Sequence, residues 1–166
     1  MDDEIDDWLK TGDPTTPKFT IISINNINIE NIDIGLLKPR EWLNDNIINT
    51  VLYLITRNSP STFFLNTYFI QVYRNRGYTQ SIRNSTRRID PEGTGELFSQ
   101  RIVFIPVNPG EIHWALVAIN MVEKTITYYC SKKWRAEVIS KSHLEHYFII
   151  LFSAQSFNLS SQLPGG

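Results

Sequence analysis

The segments IHWALVAIN and TITYYCS contain the residues whose types and spacing could support acid–base chemistry. Both are rich in β-branched and aromatic residues, and only MVEK separates them, so they predict two antiparallel strands joined by a turn at Val122 and Glu123. This register places Cys130 opposite Ala115, and His113 becomes its diagonal neighbour on the same face, about 7 to 8 Å away. His113 is therefore a candidate general base, and residue 130 is its candidate orienting group.

The ordinary alternative for His113 is a strand histidine whose hydrogen bonds are satisfied. Cys130 is the only cysteine among the 166 residues, which excludes an internal disulfide and a zinc site of the CxxC type. His143 and His146 lie three residues apart in HLEH, a spacing more typical of a helix surface than of a metal site when no cysteine cluster is present. We therefore expect neither a metal nor a cofactor.

Periodic patterns on both sides of these strands predict the other elements. Residues 19–34 repeat isoleucine with polar partners, which indicates extended structure. LLKPREWLNDNIINTVLYLIT predicts an amphipathic helix with Asn44 or Asp45 as N-cap, and STFFLNTYFIQVYRNRGY predicts a second helix that Ser61 caps and Gly77 ends. RIVFIPVN adds a neighbouring strand, and WRAEVISKSHLEHYFIILFSA returns to helical spacing. This order predicts an α+β domain.

Composition narrows the classes of function. Apolar residues make up 42% of the chain and aromatics 12%, enough for one core, while a formal charge of −1 gives no general attraction to nucleic acid or to anionic membranes. No stretch has the roughly 18 apolar residues of a membrane helix. Residues 1–18 are acidic and then rich in Pro and Thr, so we expect a disordered leader there and a single domain over 19–166. The single cysteine favours a reducing compartment, hence an intracellular protein of the nucleus or cytoplasm. We also expect a monomer.

Three segments, LLKPREWLNDNIINTVLYLI, FFLNTYFI and IVFIPVNPGEIHWALVAINMVEKTITYYCS, closely resemble in that order the catalytic domain of the Ulp/SENP family. These enzymes are ubiquitin-like-protein-specific cysteine peptidases, best known for SUMO. The resemblance runs from about Ile29 to Ser131. It implies a papain-like cysteine peptidase fold, a triad of His, Asp and Cys, and a Gln that assists the oxyanion. It also implies a protein partner of the ubiquitin type, cleaved after a diglycine.

The resemblance gives each candidate residue a role. His113 matches the general base, and Cys130 stands where the family has the triad Asp, in YYCS. Trp42 of EWLND and Trp114 of IHW match the two tryptophans that, in the family, clamp a narrow tunnel around the diglycine. Asp45 of the same EWLND motif is assigned to substrate binding with them.

Three functions follow as hypotheses. In the family the nucleophile lies in a Gln…Asp-Cys-Gly segment. This sequence matches the region before that segment, up to SSQLPGG, and Gln162 is out of register for the family's Gln. We therefore expect a peptidase domain that is incomplete at its C-terminus, in a chain that is a fragment. The alternative is a catalytically dead pseudoprotease that binds the tail of a ubiquitin-like protein, which the Asp-to-Cys departure favours. The third makes Cys130 a relocated nucleophile, which would require a new orienting group and a new oxyanion hole.

Overall fold

The structure is a computed structural model that describes residues 7, 9, 10, 12, 13, 15–87, 96–108, 111, 113–131 and 158–162. The chain divides into two compact units, Met1–Arg57 and Asn58–Gly166. Within the described part of the chain, no helix is both long and apolar enough to cross a bilayer.

The first unit contains a hairpin of strands β1 (Thr20–Ile24) and β2 (Ile27–Glu30). Asn25 and Asn26 form its turn with φ of 53° and 62°. Asparagine tolerates positive φ better than other side chains, and two such residues give the turn whose twist matches that of the strands. The expectation of extended structure over 19–34 is confirmed for the hairpin and wrong beyond it, because a short helix follows.

After the hairpin, the described residues of this unit form helices α1 (Asn31–Gly35) and α2 (Asp45–Thr56). Helix α2 begins as predicted, and the choice left open between two caps falls on Asn44, whose Oδ1 accepts the Ile47 N–H at 3.1 Å. Ile47 and Leu52 lie on the buried face of the helix. The predicted apolar stripe is wider than this face, since Val51, Leu54 and Ile55 are exposed.

The second unit contains a mixed sheet in the order β3-β4-β5-β6-β7. Its strands are Thr62–Phe64, Ile102–Val107, Ala115–Asn120, Thr125–Tyr129 and Asn158–Gln162. Strands β4, β5 and β6 run antiparallel, while β3 joins β4 and β7 joins β6 in parallel. Helix α3 (Phe69–Thr86) and a 3₁₀ turn (Glu96–Ser99) lie between β3 and β4 in the chain.

One face of the three central strands forms the core of this unit. Along β5, Ala115, Val117 and Ile119 are buried and alternate with half-buried residues, as the period of two in a strand requires. Their cross-strand neighbours on the same face are buried as well, namely Val103, Ile105 and Val107 on β4 and Ile126 and Tyr128 on β6. Phe63, Leu65, Phe69 and Leu97 pack into the same cluster.

The predicted helix from Ser61 to Gly77 is wrong at both ends. Thr62–Phe64 is a strand, because these β-branched and aromatic residues pair in parallel with Ile102–Phe104. The helix starts only at Phe69, and it runs on through Gly77 to Thr86, so a single glycine does not end it. Strand β7 was not predicted at all. The helix predicted from WRAEVISKSHLEHYFIILFSA lies outside the described residues.

Gly12, Pro17 and Phe19 contact residues of α1. A Cβ added at Gly35 would overlap the carbonyl oxygen of Gly12, and one added at Gly12 would overlap the backbone of Gly35, so the two backbones meet where only glycine fits. The buried Asn31 accepts the Phe19 N–H at 3.0 Å through Oδ1, and its Nδ2 donates to the Pro17 carbonyl at 3.4 Å. The boundary between a leader and a domain at residue 18 stays a prediction.

Replacing Gly35 by alanine is expected to destabilise the chain by about 1–3 kcal/mol, the usual cost of forcing a methyl group into a filled space. A loss of stability would be informative, because helix propensity alone predicts a gain: alanine is intrinsically more favourable than glycine in a helix by about 1 kcal/mol. Chemical denaturation of Gly35→Ala measures the effect. The same substitution in a chain that lacks residues 1–13 is the control, and an equal loss of stability there would show that Gly12 is not the obstacle.

Candidate functional site

The register of the β5–β6 hairpin places residue 130 opposite Ala115, the first residue of β5. The pairs run from Asn120 with Thr125 to Leu116 with Tyr129, so the next pair in this register is Ala115 with Cys130. Residues 121–124 form the turn, and Lys124 has φ 54°. The predicted register is therefore confirmed. Cys130 follows Tyr128 on the buried face of β6.

His113 lies two residues before the first residue of β5. Burial alternates through this stretch, with His113 buried at 9% exposure, Trp114 half-buried and Ala115 buried, so His113 and Ala115 face the same side. A residue two positions from the cross-strand partner is a diagonal neighbour, at about 7 to 8 Å. The structure thus brings His113 and Cys130 to one end of one face of the sheet.

Asn108 fixes the approach to His113, and sequence reasoning missed it. It follows β4 directly, and its Oδ1 accepts the backbone N–H of His113 at 3.1 Å. Its carbonyl accepts the N–H of Glu111 at 3.2 Å, and Glu111 has φ 58°. Asn108 thereby fixes the loop between β4 and His113 through both its side chain and its backbone carbonyl. Its only signal in the sequence is an asparagine that ends RIVFIPVN just before Pro-Gly, a pair typical of turns.

Cys130 belongs to the core of the second unit. Its exposure is 4%, and it packs in the same apolar cluster as Ala115 and Tyr128. A buried cysteine behaves largely as a small apolar residue, and its neutral thiol is a weak hydrogen-bonding group. A reactive thiol needs access to its substrate and an environment that favours the thiolate. The position therefore argues against Cys130 as a relocated nucleophile.

The buried carboxylate of Asp33 accepts hydrogen bonds from Asn44 of the EWLND motif and from Asn46 just after it. Sequence reasoning missed this residue as well. The Nδ2 of Asn44 donates to Asp33 Oδ1 at 2.6 Å, and the Nδ2 of Asn46 donates to Oδ2 at 3.3 Å. Trp42, two residues before Asn44, is 53% exposed. The only signal in the sequence was the polar positions of NIENIDI, which offer no local reason for burial.

Asp45 is the first residue of α2 and is half-buried. A carboxylate in the first turn of a helix interacts favourably with the unsatisfied N–H groups there, typically by 0.3–1 kcal/mol. This stabilising role accounts for an acidic residue at that position without a ligand. The substrate-binding role of Asp45 stays a prediction, as do the roles of Trp42 and Trp114.

Within the described ranges, no group of three His, Cys, Asp or Glu side chains is placed to bind a metal ion. His143 and His146 lie outside these ranges.

Comparison with known proteins places the chain in a family. Residues 41–143 match the Ulp1 protease family, C-terminal catalytic domain. The chain belongs to this family. The matched segment contains Trp42, Trp114, His113 and Cys130, and structures of Ulp1 protease domains share its mixed α+β fold.

Individual relatives agree with this assignment. Ubiquitin-like-specific protease 1 of Saccharomyces cerevisiae is 30% identical over 128 residues, which cover 77% of this chain and 20% of that protein. A sentrin-specific protease of Caenorhabditis elegans is 34% identical over 121 residues, covering 69% and 16%. The structure of the C-terminal Ulp1 protease domain in complex with Smt3, the yeast ortholog of SUMO, superposes with a TM-score of 0.74 at 26% identity, covering 98% of this chain and 74% of that one. The chain thus spans about a fifth of the length of the curated relatives it matches.

Asn108→Ala is expected to cost about 1 kcal/mol of stability, because it removes the acceptor of the His113 N–H from a half-buried site. Asn108→Asp keeps an acceptor at the same place and is the matched control. Urea denaturation of both variants, with amide hydrogen exchange at His113, measures the effect. Alanine and aspartate variants of equal stability, with unchanged exchange at His113, would contradict it.

The Cys130 thiol of the folded chain is expected to react with a chromogenic disulfide reagent at least about a hundredfold more slowly than in denaturant, because labelling requires an opening of the core. Cys130→Ser provides the background, since the chain has no other cysteine. Rapid labelling of the native protein would contradict the buried position and revive the relocated nucleophile.

Proposed function

We propose that this sequence is part of a cysteine peptidase that processes or deconjugates a ubiquitin-like protein, of the SUMO type, after its terminal diglycine. The observation that supports it most directly is the hairpin register that sets His113 beside residue 130 at one end of the sheet. Family membership and the similarity to a protease domain that was solved in complex with Smt3 support SUMO-type proteins as the class of substrate.

In this proposal His113 is the general base. It takes the proton of a thiol nucleophile and later returns a proton to the leaving amine, so that the thioester forms and the peptide bond breaks without a free charge on nitrogen. Burial at the end of β5 and the bond to Asn108 restrict its backbone, which favours a constant ring position. Since Cys130 packs in the core, the thiol is not one of these 166 residues, and the activity is proposed for a longer protein.

A second candidate function is binding without cleavage. It is favoured by one observation, the buried Cys130 at the position where the family has the triad Asp. A carboxylate would orient the imidazole and offset the charge of its protonated form, whereas a neutral thiol does neither. A chain that has lost this group can still bind a protein tail, because recognition does not depend on proton transfer.

Both candidates share the binding step, for which Trp42, Trp114 and Asp45 are the proposed contacts. An indole ring can bury a large apolar area against an extended backbone, and glycine lets such a surface approach the chain closely because it has no side chain. The residues around them would hold the folded part of the partner.

The 166-residue chain is expected not to release a fluorophore from the C-terminus of SUMO, NEDD8 or ubiquitin above background. Loss of one triad member already costs several orders of magnitude in rate. Turnover that disappears in Cys130→Ala would contradict this expectation. The coding sequence downstream of Gly166 separates the two candidate functions, since an in-frame Asp-Cys-Gly favours the peptidase.

Trp114→Ala is expected to weaken binding of a mature ubiquitin-like protein at least about tenfold, because buried aromatic anchors dominate interfaces. His113→Ala should change the affinity little, since its proposed role is chemical. Calorimetry with partners that carry or lack the diglycine measures both, and Phe98→Ala, at an exposed aromatic of the same unit, is the matched control. Equal affinity for the two partners, or a larger loss in His113→Ala, would contradict the proposed binding site.

A further inference from the structure

We propose that Asp33 is a positioning residue for the segment Trp42–Asp45, acting through Asn44 and Asn46. The inference rests on the proposed function in one respect only, the role of Trp42 in binding the diglycine. It adds a residue outside the motif to the determinants of affinity, and it gives a buried carboxylate in the first unit a specific task.

The Asp33 side chain is 1% exposed and accepts three hydrogen bonds. Besides the two side-chain amides of Asn44 and Asn46, the backbone N–H of Glu30 donates to its Oδ2 at 2.8 Å. Every group directed at the two oxygens is a donor. A buried carboxylate is costly unless it is hydrogen-bonded in this way.

Asn44 links Asp33 to the start of helix α2 through its side-chain amide. Its Nδ2 is used by Asp33, and its Oδ1 is used by the N–H of Ile47 as the helix cap. A flip of the amide would break both bonds at once. The orientation of Asn44 is therefore fixed from two sides, and so is the backbone at the point where α2 begins.

Asp33 also holds the other end of the connection that carries Trp42. The carbonyl oxygen of Asp33 accepts the N–H of Leu36 at 3.1 Å, just after α1, while its side chain holds Asn44 at the start of α2. The residues between these two points include Arg40, with φ 73°, and Trp42. One residue thus fixes both ends of a short connection whose tryptophan is more than half exposed.

A purely structural role for Asp33 predicts a different outcome. Loss of the carboxylate would then lower the stability of the unit without a specific effect on Trp42. A positioning role predicts that the effect on affinity depends on the presence of Trp42, because two residues that act through one contact are not additive.

The test is a double-mutant cycle in the full 166-residue chain, read by calorimetry with SUMO ending in diglycine. Asp33→Asn places an amide donor among three donors and is expected to weaken binding about five- to tenfold. In the Trp42→Ala background the same substitution is expected to cause no further loss. Glu123→Gln removes one acidic charge from an exposed turn of the other unit and should leave the affinity unchanged.

A swap provides the rescue. In Asp33→Asn with Asn44→Asp, the donor and acceptor exchange places, the carboxylate at 44 still caps α2, and the amide oxygen at 33 can still accept from Glu30. Affinity should return to within about twofold of the original chain. If Asp33→Asn fails to fold, Asn44→Ser takes its place, because serine caps a helix as well as asparagine but is too short to keep the bond to Asp33.

The environment of Trp42 supplies a readout that does not depend on any partner. In protein labelled with 5-fluorotryptophan, the Trp42 signal, assigned with Trp42→Phe, is expected to shift in Asp33→Asn and to return in the swap. Binding that is equal with and without diglycine, together with this shift, would refute the proposed function and leave the positioning role intact. An unshifted signal, or full additivity of Asp33→Asn and Trp42→Ala, would overturn the positioning role.

Discussion

The antiparallel register of β4, β5 and β6 is the constraint on which the second unit depends. The same alternation that buries Val117, Ile119 and Tyr128 also puts His113 and Cys130 on one face. A slip by one residue would expose this entire apolar set and turn both candidate residues to the opposite side. The geometry of the candidate site is therefore enforced by burial of the core, which is worth far more than any contact between the two side chains themselves.

This dependence explains why a cysteine at position 130, where the proposed function calls for an acid, is compatible with the architecture. A carboxylate in the apolar cluster would have to be desolvated and would need a charged or donating partner to remain stable. A thiol can be buried there at little cost, since it packs like a small apolar side chain. Under the proposed function, Cys130 lacks the carboxylate that would orient the imidazole, whereas the strand register stays unchanged.

Local patterns predicted the elements that local forces determine. The β5–β6 hairpin and helix α2 follow from strand alternation, a short turn and a capping asparagine close in sequence. Strand β3 escaped prediction because its three residues gain their hydrogen bonds from β4, about 40 positions later in the chain. Asp33 and Asn108 escaped for a related reason, since their value lies in tertiary hydrogen bonds that no periodicity records. The first is an acid that would ordinarily be assigned to the surface.

These two residues show how buried or half-buried polar side chains hold motif residues that lie outside regular elements. Trp42 and His113 each sit in a connection between regular elements, where backbone pairing ends and the chain would otherwise be free to vary. In each case a short polar side chain several residues earlier, Asp33 or Asn108, fixes the connection by hydrogen bonds. Packing of the apolar core determines which face of the sheet a residue occupies. The hydrogen bonds of Asp33 and Asn108 determine the backbone position of a residue in a loop. Under the proposed function both would matter for Trp42, because a displacement of a fraction of an ångström changes the contact between an aromatic ring and a peptide backbone.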